Sequence, residues 1–253
     1  MAPAERVPYH HEYNYLESLG RIDKRSRERM ENAGIFKDLN AKQIGIIANY
    51  HAIRRDITLR KGWKGCFFSA VKPASRAPSI QPPGQVHIVS VAWSGHFIRS
   101  YLSRFQESFL ERRQGWFFVP QVHANEITDT TGLIEGGIHT AGDKLTVMRR
   151  TISDYRNQNH GRRPVSVYVG DSATDLTCIL AADVGIIMQD KVLTSEQVYL
   201  YDTLLRLSYE IRHVLEYADM RPHLGPDVKI VWAAGDFEQI RQSMAVSGEG
   251  RST

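Results

Sequence analysis

The sequence predicts an α/β fold built on a parallel sheet, and three observations lead to it. The stretch Val165 to Ile187 joins a β-rich apolar run to Gly170, a helix start at Asp171-Ser172-Ala173-Thr174-Asp175 and a second apolar run from Val184 to Met188. Strand, turn, helix and strand in that order form one βαβ unit, which favours parallel pairing. From Val86 onward, apolar runs of strand length alternate with amphipathic segments. The 253 residues are 42 % hydrophobic, enough for one large core with a smaller attachment.

Taken in order, residues 1 to about 60 are expected to be helical and strongly charged. The run Arg21 to Met30 mixes Asp23 and Glu28 among its basic residues, as a solvated helix face does. Asn32-Ala33-Gly34 ends that helix, and a second is expected from near Asn40 to Arg55. Gly65 to Val71 could be a short strand or a packed loop. KPASRAPSIQPPGQ is Pro-rich and reads as a surface linker.

Val86 to Trp93 is expected to be a strand ending at Ser94-Gly95, followed by a helix from His96 to Arg113 with Phe97, Ile98, Tyr101, Leu102, Phe105 and Phe109 on its apolar side. Trp116 to Ala124 forms the next strand, and TDTTGLIEGGIHT a hairpin or loop. A helix from Gly142 to Asn157 carries Lys144 near its start. After the βαβ unit come a long helix over Ser195 to Ala218, a strand from Val228 to Trp232, a helix from Asp236 to Met244 and a disordered tail, SGEGRST.

Asp171 and Asp175 lie where such sheets place ligands, at the carboxyl end of a strand. Two carboxylates beside a glycine turn suit a Mg²⁺ ion with oxygen ligands. The same residues serve equally well as helix caps and dipole partners. The net charge of +4 and pI of about 9.0 do not require a nucleic-acid partner. Cys66 and Cys178 have no metal-binding spacing, and no apolar run reaches the ~18 residues of a membrane span. The expected setting is cytoplasmic, with no membrane partner.

Several ordered pieces, VSVAWSGHFIRSYL, VHANEI, GIHTAGDKLTVMRR, VYVGDSATDLTCILAADVGIIM and VWAAGDFEQI, resemble the haloacid dehalogenase-like phosphohydrolase superfamily. The closer similarity is to the phosphatase half of bifunctional plant thiamine-salvage proteins and to related fungal proteins. AGIFKDLNAKQI resembles their cap more loosely. The resemblance implies a three-layer Rossmann-like core over residues 86–245, an amino-terminal helical cap over 1–72, a linker over 73–85 and a tail over 246–253.

It also implies roles. Ser94, Gly95 and the amide of His96 would hold a phosphoryl group, with Lys144 neutralising charge beside it. Asp171 and Asp175 would ligate Mg²⁺. His123, Asn125 and Glu126 recur in these relatives at a strand end, where they either shape the substrate pocket or satisfy local backbone groups. The implied activity is hydrolysis of a small phosphomonoester, with no implication for oligomeric state.

The superfamily also carries an Asp-x-Asp whose first aspartate is the nucleophile and whose second is the acid/base. Residues 1 to 60 contain no such motif. The chain is therefore expected to begin within the cap, without the central strand that the family places between the strands ending at Ser94 and Asp171. An inactive or repurposed protein that binds a ligand or partner, or assists a biosynthetic pathway, is the alternative.

Overall fold

The computed structural model describes residues 9–71, 84–110, 120–220 and 229–249. Four strands form a parallel sheet: β5 (Val167–Gly170), β6 (Val184–Met188), β7 (Glu210–His213) and β8 (Ile230–Ala234). Their order is β5-β6-β8-β7, so the last strand in sequence sits inside the sheet. Every residue of β6 is buried, because its alternating side chains enter two different cores.

On one face Ile187 and Val231 pack with Leu176 and Ile179 of α6 (Leu176–Ala181), Leu200 and Leu204 of α7 (Ser195–Arg206), and Leu16 of α1 (Tyr9–Asn32). On the other, Ile186, Met188, Trp232 and Ala234 pack with Tyr217 of α8 (Tyr217–Met220) and Ile240 of α9 (Phe237–Glu249), and Cys66 of α3 (Trp63–Val71) lies against them. Helices thus flank both faces of a parallel sheet, a three-layer α/β arrangement. Buried Glu12 fastens α1 to α7 by accepting from Tyr199 and from Arg206, the latter at 3.1 Å.

A second, smaller sheet pairs β1 (His87–Val89) with β2 (Gln121–His123) in parallel. β3 (Glu126–Ile127), just before TDTTGLIEGGIHT, pairs with β4 (Ile134–Glu135) within it, so of the expected hairpin or loop the chain forms a hairpin. Helix α4 (Gly95–Leu110) follows β1 and is covered by α2 (Ala41–Arg54) through Ala48, Ala52 and Tyr101. Helix α5 (Ala141–Gln158) touches β1 and also the turn and helix that follow β5. It therefore spans the two sheets. Among the described residues β1 pairs only with β2, and β5 only with β6.

Four expectations about secondary structure need correction. The strand expected over Val86 to Trp93 forms only at His87–Val89, and α9 runs on to Glu249, into the tail expected to be disordered from residue 246. Gly65 to Val71 belongs to a helix, α3, packed against α9 with Phe67 edge-on to Phe237. A short apolar run cannot tell strand from buried helix by pattern alone. The expected long helix over 195–218 stops at Arg206, and β7 follows. Ser208 takes a left-handed φ of 63°, a break that no glycine or proline marks in the sequence. The Pro-rich segment up to residue 83, the Trp116 end of the strand before Ala124 and residues 250–253 lie outside the described residues.

Candidate functional site

The turn after β5 is organised by one side chain, Asp175. Its carboxylate folds back onto the strand end, where a Cβ on Gly170 would stand 2.4 Å from the Cβ of Asp175, so only glycine leaves room. Asp175 Oδ2 accepts from the amides of Asp171 and Ser172, each at 3.2 Å, and from Ser172 Oγ at 2.8 Å. Its Oδ1 accepts from Lys144 Nζ at 2.7 Å and from the hydroxyl of Tyr168 at 2.8 Å.

Lys144 and Asp175 are both buried. The lysine lies in the first turns of α5, where the helix dipole disfavours a cation, so its partner is Asp175 rather than the helix. Burial alone would raise the Asp175 pKa, but Lys144 and the hydrogen bonds from Ser172 and Tyr168 outweigh it and hold the carboxyl below the usual range. Burial and the neighbouring Asp175 charge push the Tyr168 hydroxyl strongly upward.

Asp171 has a different environment. Its side chain is about half exposed, and it stands 4.0 Å from the guanidinium of Arg60. Burial first, then the charge of Asp175, raises its pKa, and Arg60 offsets part of this. Arg60 also donates to Asp190 at 2.9 Å, just beyond β6. Through that hydrogen bond and one from Gln197, Asp190 is held below the usual carboxylate range.

These residues do not fit a magnesium centre built on both Asp171 and Asp175. Five donors already converge on the two oxygens of Asp175, about the number a carboxylate can accept. The Asp171 carboxylate, about half exposed, accepts no hydrogen bond among the described residues and has Arg60 near it. Among the described residues no group of three His, Cys, Asp or Glu side chains is arranged to hold a metal.

The turn after β1 forms a second polar cluster. Ser94 is buried, and its Oγ accepts from the Phe97 amide at 3.1 Å as the cap of α4. The Gly95 amide donates to the Asn125 carbonyl at 2.8 Å, and the His96 amide to Glu126 Oε2 at 2.9 Å. Glu126 also pairs with Arg99. The first-turn amides of α4 thus meet acceptors within the chain itself.

Asn125 is fully buried, and its amide donates to the carbonyls of Ile138, Val91 and Ala92 while its oxygen accepts from the Ile138 amide. It ties the segment after β1 to the loop leading into α5. His123 stacks on His87, with Nε2 3.1 Å from His87 Nδ1. Burial, with the other histidine's charge acting on His87 and Arg150 acting on His123, lowers both pKa values.

The structure therefore brings Lys144 and Asp175 into direct contact, with Asp171 beside them through its backbone. It brings Ser94, Gly95 and Glu126 together in a separate group, and pairs His123 with His87. Among the described residues no hydrogen bond joins these groups directly; Asn125 and α5 connect them through the backbone. Tyr168 and Arg60 escaped the sequence pattern. Tyr168 looks like any strand residue, and Arg60 arrives from a loop 130 positions away from Asp190.

The chain is similar to a known plant protein. The chain is 27 % identical over 189 residues, 73 % of its length, to the bifunctional TH2 protein, mitochondrial, of Arabidopsis thaliana. The matched region spans 27 % of that protein. No family model matches, and no solved structure matches. No helix among the described residues is long and apolar enough to cross a membrane.

Proposed function

We propose that the chain is a hydrolase of the haloacid dehalogenase-like kind, acting on a small phosphomonoester. The observation that supports this best is the buried Lys144–Asp175 pair at the carboxyl end of β5. A lysine fixed there by a saturated carboxylate offers a preorganised positive charge for a transferring phosphoryl group. Asp175 orients the lysine, and Asp171 presents the half-exposed carboxylate of the turn, with Arg60 at 4.0 Å. The nucleophile is assigned to no carboxylate among the described residues. Similarity to the bifunctional TH2 protein supports a hydrolase-like relationship, and the resemblance of the motifs extends it to phosphoester chemistry.

The test is phosphate release from a panel of small phosphomonoesters by the protein isolated at its native length, with and without Mg²⁺. Turnover is expected, and Lys144→Ala should lower it about 10²–10³-fold, as removal of a charge-stabilising donor does. Failure of the native-length protein to release phosphate from any of them, in either condition, rejects the proposal.

One observation favours a second reading, a binding protein without turnover. The amides at the start of α4 are already satisfied by Ser94, Asn125 and Glu126, which leaves them unavailable to a phosphate. In this reading Glu126→Ala, which frees the His96 amide, tightens inorganic phosphate binding in calorimetry. In the hydrolase reading the same change lowers turnover.

A further inference from the structure

At the carboxyl ends of β5 and β6, two neighbouring parallel strands, oxygen atoms gather around a cation that belongs to the chain. Arg60 Nη1 lies 2.9 Å from Asp190 Oδ1 and 3.4 Å from the Gln189 carbonyl oxygen, and Nη2 lies 4.0 Å from Asp171 Oδ2. Carboxyl ends of adjacent strands are where parallel sheets place their ligands.

Both sides of this contact are built. The loop that carries Arg60 is pinned at its start, where the Tyr101 hydroxyl donates to the Ile57 carbonyl. It is pinned again at its end, where the Phe237 amide donates to the Lys61 carbonyl at 3.0 Å. Gly62, with φ of 79°, lies so close to α9 that an added Cβ would stand 2.4 Å from the Glu238 amide nitrogen. On the acidic side, Asp190 accepts from the side chain of buried Gln197 at 3.0 Å, and its own amide donates back to Gln197 Oε1 at 3.2 Å.

A small divalent ion needs close oxygen ligands and room for its waters. With a guanidinium seated 2.9 Å from Asp190, that room is taken. We propose that Arg60 is a tethered cation that takes the place of a divalent metal between Asp171 and Asp190. The planar fork of arginine suits this task, since it remains charged at any working pH and addresses two carboxylates at once. Asp171 then meets positive charge from the loop after α2, and metal occupancy is blocked while the arm is in place. The inference stands apart from the reaction proposed above, because its readout is metal occupancy.

The experiment uses Mn²⁺ as probe, titrated into the full chain and followed by electron paramagnetic resonance of the free ion. Arg60→Ala and Arg60→Gln should each bind Mn²⁺ at least ~10-fold more tightly than wild type, a difference of about 1.4 kcal/mol. Adding Asp190→Asn to Arg60→Ala should abolish the gain, and Arg60→Lys, which keeps the charge, should stay weak. Millimolar guanidinium should compete with Mn²⁺ in Arg60→Ala, a response that a purely structural role would not produce. Arg60→Gln removes the charge but keeps a polar, hydrogen-bonding side chain, so it reports even where Arg60→Ala folds poorly. Equal Mn²⁺ affinity in wild type and both variants, whether tight or undetectable, overturns the proposal.

Discussion

The turns after β5 and after β1 share one plan: a strand ends, a small residue follows, and an acid satisfies amides at the start of a helix. They differ in where the acid comes from. After β5 the acid is Asp175, within the same turn, and a buried lysine from α5 neutralises it. After β1 the acid is Glu126, supplied by β3 some 30 positions along the chain and paired with half-exposed Arg99. A local acid with a buried counter-charge makes a rigid, dry turn. A distant acid with a solvated partner makes a turn whose geometry depends on the packing of other elements.

The largest effect that could break this comparison comes from Lys144→Met. It leaves the Asp175 carboxylate buried without its cation, and removing one partner of such a pair costs about 3–5 kcal/mol. Urea unfolding should show that loss; a change below ~1 kcal/mol would mean the turn after β5 is no better anchored than a surface ion pair.

Asn125→Ala follows. It strips partners from the Ile138 amide and carbonyl in a dry environment, with an expected cost of about 3 kcal/mol from unsatisfied groups. The turn after β1 should loosen while the turn after β5 keeps its hydrogen bonds. Comparing amide-exchange protection at Gly95 and at Ser172 in the variant checks this, and equal loss at both sites would merge the two regions into one.

The smallest effect separates the regions by pH. Asp175 has a folded pKa below its ordinary value of 3.8, so its contribution is present above that value and lost as pH falls through the lower folded one. His87 and His123 have folded pKa values below 6.5, so the stability of the β1–β2 ladder is complete above 6.5 and declines as pH falls toward the folded values. His87→Gln should flatten the stability profile just below pH 6.5 and Asp175→Asn the profile below 3.8. Urea midpoints measured across both windows decide whether the two losses are separate.

What the sequence made visible follows the same division. The Gly170, Asp171 and Asp175 turn lies within a few residues, so spacing and helix-start chemistry located it. The parallel sheet was equally visible, because β6 and β8 are apolar on both faces. Ser94 was visible as a residue at a strand end, whereas the acceptors that satisfy the neighbouring amides were not, since Glu126 and Asn125 reach them only through tertiary packing. Arg60 was invisible for the same reason, as nothing near it in the chain announces an acidic partner beyond β6. The halt of α7 at Arg206 depended on a left-handed serine, a conformation that sequence pattern does not encode.

The strand order has a consequence for how the chain assembles during synthesis. β7 pairs only with β8 among the described strands, and β6 gains its second neighbour from β8 as well. Until residues 230–234 have left the ribosome, β7 has no ladder to join and one edge of β6 stays open. Leu16, near the start of the chain, waits on the same event, because Val231 completes its cluster. The sheet therefore closes late, and α1 is among the elements that wait for it to find their full set of contacts.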